Sequence, residues 1–393
     1  MTKSYGNNGM HPNSRLPTAF LIILLLSTIF HDSDTFILRD NKKFVLRHRQ
    51  RPHELHLSSP SSDEEISVVG VVARLTYSGP YACLGLNFPR LKSTTQQETD
   101  EENGVSINFV LDTGANVNAI SKDLASNLGL TTVIRKDDLS IIGSAGAGGS
   151  FQAGDIVMLG DCQLSGMPTE QANVTFMTNV TAASLDLGIK SIGCGLLGTS
   201  FFECFPAGVE FDWYGTDGDP PTMIFYYGKH LPDDAKKNAF CVPLEEESFF
   251  GVPAITININ GVNLRAIIDT GSPISILSPK VAEKAGLEII KYASAFEHED
   301  HGPFIKIRGI DQGTVDLAKA SKATVCIGDI SLENVQTLFI GELPGLAMAS
   351  NFTTYKGPQA LIGLDILRLT YRMILRLSEK EVWFEPLKDR KLQ

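Results

Sequence analysis

One string occurs twice in this chain. Residues 103 to 130 (NGVSINFVLDTGANVNAISKDLASNLGL) align without a gap, at an offset of 157, with residues 260 to 287 (NGVNLRAIIDTGSPISILSPKVAEKAGL), and ten of the 28 positions are identical. Average composition yields about two. The tripeptide Asp-Thr-Gly arises by chance about once in five thousand positions, so two copies in register mark a duplicated fold. Two later landmarks keep the same order: LGDCQL at 159–164 answers IGDISL at 327–332, and Leu196-Leu197-Gly198 answers Leu361-Ile362-Gly363. The expected division is a leader at 1–65, a first lobe at 66–238 and a second at 239–393, with a polar seam at Asp233, Asp234, Lys236 and Lys237.

Each copy reads as mostly β. Ile255, Ile257 and Ile259 alternate with polar residues, Asn260-Gly261 is a type I′ turn signal, and Val262 to Ile268 returns as the partner strand. In the first copy the outgoing strand, near 82–88, is separated from its return at Val105 to Leu111 by a polar, acidic insertion at 89–102. A short helix is expected after each repeat, Lys122 to Leu128 and Pro279 to Ala285, with Ser121 and Ser278 as N-caps and Gly129 and Gly286 as stops. The segment from Gly166 to Gly193 has no counterpart of equal character in the second copy. The stretch Arg368 to Pro386 reads as a closing hairpin, a candidate for a sheet between the lobes.

The returning strands end on Asp112 and Asp269, each after apolar residues. A carboxylate emerging from a core strand is costly unless it is hydrogen-bonded or used. The bland alternative is Asp as a turn former. A pseudo-two-fold axis would bring the two carboxyls side by side, where they retain one proton between them: one then serves as base, the other as acid. A water held between them can be activated for attack on a peptide carbonyl, with no metal and no covalent intermediate.

The strings LDTGA and IDTGS, each followed by a short helix ending in Gly-Leu, a Gly-rich segment and an apolar-apolar-Gly, resemble the retropepsin-like aspartic proteases. The resemblance covers both copies and implies two tandem acid-protease lobes related by a pseudo-two-fold axis, in the manner of pepsin-like enzymes. It implies that Asp112 and Asp269 form the catalytic pair, that Thr113 and Thr270 interlock across the axis, and that Gly114 and Gly271 let the two loops pass. It implies flap hairpins near 141–151 and 307–314, although their glycines also suit a slack loop. The first candidate flap has no Tyr. The function so implied is that of an aspartic endopeptidase acting on protein or peptide substrates. A catalytically silent fold that binds peptides is the alternative.

Other features set limits. A net charge of −11, from 34 basic and 45 acidic residues, argues against general nucleic-acid binding. With 43% apolar and 20% charged residues the chain falls outside collagen-like, coiled-coil and multi-span membrane classes. The six cysteines show no CxxC pair or metal-ligand spacing, so no metal or cofactor is expected; most read as buried free thiols, with Cys194–Cys204 the one local bridge to consider. The apolar run 16–30 has the length of a signal-peptide core or a short membrane anchor, against a buried element as the alternative. It points to a membrane-anchored or secretory destination, with organellar import as another reading. Residues 39–51 carry six basic side chains against one acid, and suit a linker, a cytosolic flank, a transit segment or a basic pro-segment over an acidic cleft. Pairing of the lobes within one chain is the economical assembly, with pairing between chains as the alternative.

Overall fold

The computed structural model describes residues 70–92, 104–136, 143–145, 151–166, 174–187, 195–215, 219–245, 251–290, 304–308, 314–342 and 359–387. The apolar run at 16–30, the basic stretch at 39–51 and most of the insertion at 89–102 lie outside them. Strands dominate, arranged as an eight-stranded sheet in the first lobe, a nine-stranded sheet in the second and a six-stranded sheet shared by both.

The repeated string builds the same hairpin twice. Tyr81–Phe88 pairs antiparallel with Val105–Leu111, and Ala254–Ile259 pairs with Val262–Ile268. Between the latter two, Asn260 and Gly261 both have positive φ, 47° and 86°, as the tight turn demands. Beside each returning strand runs a parallel one, Gly195–Leu197 against Phe109 to Leu111 and Gln359–Ile362 against Arg265 to Ile268. Parallel strands need cover on both faces. These supply it with Leu111, Leu197, Ile268 and Ile362, all inaccessible to solvent.

The six-stranded sheet is palindromic. Its order is Val71–Arg74, Thr222–Tyr226, Gly208–Asp212, then Thr370–Arg376, Glu381–Pro386, Phe240–Pro243: an edge, a hairpin partner and a central strand from each half. The central strands meet antiparallel, Val209 opposite Leu375 and Phe211 opposite Met373. The pseudo-two-fold axis implied by the repeat therefore passes between them. The C-terminal hairpin thus belongs to the shared sheet. Apolar side chains seal the sheet to the lobes: Phe201, Phe205, Phe211 and Phe225 are fully buried in one continuous core that includes residues of both halves, with the Phe205 and Phe225 rings 4.7 Å apart. Inside the sheet, Arg372 is buried between Glu210 (3.1 Å) and Glu385 (2.8 Å), and Tyr226 donates to Glu210 at 2.6 Å. Burial pushes the Glu210 carboxyl up, while the Arg372 guanidinium opposes the rise.

Several sequence expectations need correction. The helices end one residue early, at Lys122–Asn127 and Pro279–Lys284. Ser121 caps the first by accepting from the Leu124 amide at 3.2 Å. Ser278 stands at the cap position of the second, but its hydroxyl makes no capping bond; with Pro279 at the first helical position one amide needing a cap is absent. The described part of the segment 166–193, residues 174–187, has a shorter counterpart in position. Its strand Met177–Leu185 runs parallel to Ala119–Ser121, as Phe339–Ile340 runs parallel to Ile276–Leu277 in the second lobe. The match of LGDCQL to IGDISL is out of register: Gln163 faces Asn87 where Cys326 faces Asn258, and in the second lobe Gly328 and Asp329 form a turn between strands. Of the cysteines, Cys83 and Cys162 are buried free thiols, Cys204 is a half-buried free thiol, Cys326 is half-buried and Cys241 is exposed. Cys204 points its sulfur at the Ser200 carbonyl, 3.4 Å away, and Cys194 lies outside the described residues.

Candidate active site

The two Asp-Thr-Gly loops leave the ends of Val105–Leu111 and Val262–Ile268 and meet at the axis. Four hydrogen bonds cross between them. The Thr113 amide donates to the Thr270 hydroxyl at 3.1 Å and the Thr270 amide donates to the Thr113 hydroxyl at 3.0 Å. Each hydroxyl then donates onward to the opposite strand, Thr113 to the Ile268 carbonyl at 2.7 Å and Thr270 to the Leu111 carbonyl at 2.8 Å. Both threonines are fully buried. A serine or valine in their place would lose either packing or bonds; Thr supplies one methyl, one donor and one acceptor in a single small side chain.

Glycine is required after each threonine. A Cβ on Gly114 would stand 2.7 Å from the Asp269 Cγ, and a Cβ on Gly271 would stand 2.4 Å from the Asp112 Cγ. Each glycine thus lies against the carboxyl of the opposite loop. The carboxyls themselves are half-buried and hydrogen-bonded to each other. Backbone amides fix their planes: Ala115 donates to Asp112 Oδ1 at 3.0 Å and Gly271 donates to Asp269 Oδ1 at 2.9 Å.

The Leu-Leu-Gly and Leu-Ile-Gly segments brace these loops from below. The Asp112 amide donates to the Leu197 carbonyl and the Asp269 amide to the Ile362 carbonyl, both at 2.9 Å. Gly198 and Gly363 lie so close to the carbonyls of Val117 and Ile274 that an added Cβ would be 2.4 and 2.5 Å away. Sequence reasoning missed two further supports. The Gly198 amide donates to Asn118 Oδ1 at 3.1 Å and the Gly363 amide to Ser275 Oγ at 2.9 Å. Asn118 and Ser275 both stand six residues after the aspartate, so the alignment of the repeats held the signal: an oxygen acceptor at the same place in both copies.

Electrostatics couples the two carboxyls. Burial raises the pKa of both above the usual carboxylate range. For Asp269 the nearby charge of Asp112 adds to the rise, and amide donation from Gly271 and Ser272 only partly offsets it. For Asp112 the hydrogen bond from Asp269 and amides of Ala115 and Gly114 work against burial. The pair therefore titrates as a unit that holds one proton above the usual carboxylate range. Among the described residues no cluster of three or more His, Cys, Asp or Glu has the arrangement of a metal site.

The candidate flaps are hairpins in both lobes. Gly143–Ala145 pairs antiparallel with Phe151–Ala153 as a separate two-stranded ribbon. Phe304–Arg308 pairs with Thr314–Lys319 as the edge of the nine-stranded sheet. The tips, 146–150 and 309–313, lie outside the described residues.

Two symmetry-related Asp-Thr-Gly loops, locked by a reciprocal threonine exchange, define the two-lobed class of aspartic protease folds. The chain belongs to the aspartyl protease family, whose sequence profile matches residues 101–201 and 255–366, more than half of its length. It carries two tandem retropepsin-like units in one chain. No curated protein matches it. Among solved structures it is similar to the crystal structure of basic 7S globulin from soybean, at 12% identity and a TM-score of 0.45 over 81% of this chain and 95% of that one.

Proposed function

We propose that this protein is an aspartic endopeptidase in which Asp112 and Asp269 hydrolyse a peptide bond through a shared water. The observation that carries the proposal is the meeting of the two Asp-Thr-Gly loops, crossed by four hydrogen bonds, with Gly114 against the Asp269 carboxyl and Gly271 against the Asp112 carboxyl. The ionised member of the pair takes a proton from the water as it attacks the carbonyl carbon. Its protonated partner donates a proton to the carbonyl oxygen. The product is a neutral gem-diol, with a proton exchanged between the two aspartates. Collapse returns a proton to the leaving amine and breaks the C–N bond. The buried Thr113–Thr270 exchange keeps the carboxyls in place without taking part, and preorganisation of this kind supplies much of the rate. The substrate is an extended protein or peptide segment.

The test is cleavage of a diverse peptide library by the full chain between pH 3 and 8, with and without pepstatin, beside Asp112→Asn and Asp269→Asn. Each substitution keeps the side-chain shape and removes one titrating group, so both variants should fold and neither should cleave. Cleavage retained by either one rejects the pair mechanism, and a folded wild type that cleaves nothing across the range favours the peptide-binding alternative.

A further inference from the structure

The two halves of the site are not equivalent one step away from the carboxyls. In the first hairpin the register pairs Cys83 with Val110; continued by two residues, it sets Tyr81 opposite Asp112. In the second it pairs Ala254 with Ile267, and the Ile268 amide still reaches the Pro253 carbonyl at 2.9 Å, which sets Val252 opposite Asp269. Residues opposite one another in an antiparallel pair point to the same face with Cβ atoms about 5 Å apart. A tyrosine therefore flanks one carboxyl and a valine flanks the other.

The Tyr81 side chain is held there firmly. It closes a tight hairpin in which Ser78 pairs with Tyr81 across Gly79, whose φ is 59°. Its ring packs on an apolar face that includes Cys83, Val110, Ala119, Ile156, Leu185 and Leu187. It remains half-exposed. Burial, and then the charges of Asp269 and Asp112, push its phenol pKa up, so it stays a neutral donor and feels both members of the pair. Val252, by contrast, is buried, with 5% of its surface accessible.

We propose that Tyr81 determines substrate specificity, its ring forming the wall that receives a large apolar or aromatic substrate side chain on the Asp112 side, and its hydroxyl donating to the peptide backbone. The proposal rests on the reading of the cleft as a peptide site. Aromatic side chains offer a broad rigid face at little entropic cost, and a ring-to-ring contact adds to area burial. Val252 offers no such face, so the two sides of the scissile bond should differ in what they accept.

Binding tests the proposal apart from turnover. A panel of non-cleavable hydroxyethylene peptides bearing Phe, Leu or Ala on either side of the central hydroxyl is titrated calorimetrically into full-length wild type, Tyr81→Phe and Tyr81→Val. Wild type should prefer Phe on one side only. Tyr81→Val should lose about thirtyfold in affinity for that peptide, ring and hydroxyl together, and only about threefold for the Ala peptide, the hydroxyl share alone. Tyr81→Phe should keep the preference and lose about threefold across the panel, the share of one hydroxyl donor. Equal losses across the panel in Tyr81→Val, or an unaltered preference, overturn the assignment. Binding with these preferences but without cleavage rejects the protease reading and sustains the subsite; cleavage whose side-chain preference survives Tyr81→Val sustains the protease and rejects the subsite. A wild type that neither binds nor cleaves rejects both.

Discussion

Replacing Thr113 by valine isolates the contribution of the crossed threonines to holding the loops together. The swap keeps volume and β-branching and deletes one hydroxyl. Two bonds vanish with it: the one received from the Thr270 amide at 3.0 Å and the one given to the Ile268 carbonyl at 2.7 Å. Because the site is fully buried, no water takes their place. Leaving the Thr270 amide unsatisfied costs about 1–3 kcal/mol and the weakened carbonyl about 0.5–1 kcal/mol more, so Thr113→Val should lose ~2–4 kcal/mol. Thr113→Ser keeps both bonds and removes a buried methyl, which costs about 1 kcal/mol. Urea unfolding followed by circular dichroism reads the two variants, with the midpoint moving and the slope held constant. The ordering is the decisive quantity. A serine variant as unstable as the valine variant, or a valine loss under about 0.5 kcal/mol, would refute the role of the crossed bonds and assign the site to packing alone.

The same geometry carries three further expectations. Asp112 and Asp269 are protonated more readily in the folded chain than in the unfolded one, so their contribution to stability is full below about pH 4 and is lost as pH rises through their folded values. Asp269→Asn should therefore melt at a higher temperature than wild type at pH 7 and at nearly the same temperature at pH 3; no gain at pH 7 would contradict the raised pKa. Gly271→Ala forces a Cβ to within 2.4 Å of the Asp112 Cγ and should reduce turnover by roughly a hundredfold, whereas Gly129→Ala, in open space at φ 57°, should cost ~1 kcal/mol of stability with turnover unchanged. Arg372→Met leaves Glu210 and Glu385 buried without their cation and should cost ~3–5 kcal/mol at neutral pH. Addition of Glu210→Gln should restore part of it in the same denaturation assay, and full retention of stability by the single variant would show the triad to be dispensable.

The duplication was legible because its most constrained part, a strand ending on Asp-Thr-Gly, tolerates little change: each threonine bonds to the opposite loop and each glycine lies against the opposite carboxyl. Both aspartates, both threonines and both glycines could be named from the string for that reason. Away from the axis the copies diverged in ways sequence matching follows poorly. LGDCQL and IGDISL look alike, yet one runs through a strand and the other spans a turn, since Gly and Asp suit a turn and an irregular strand alike. The second-lobe equivalent of Met177–Leu185 went unseen because a two-residue strand, Phe339–Ile340, does part of its work. Tyr81 also escaped notice: its partner is set by hairpin register across an insertion, and no local pattern marks it.

The palindromic sheet also orders events in time. Gly208–Asp212 is made early, but the strand that covers its free side, Thr370–Arg376, is translated about 160 residues later. At ordinary elongation rates that interval is roughly 10–30 s. Throughout it the first half presents an open strand edge in Val209 and Phe211, a template for stray pairing. The Thr113 hydroxyl waits as long for a partner loop. The two carboxyls cannot meet until the later half has been translated and folded, so a growing chain carries no assembled pair, and any condition that slows elongation between residues 212 and 370 lengthens the exposure of that edge.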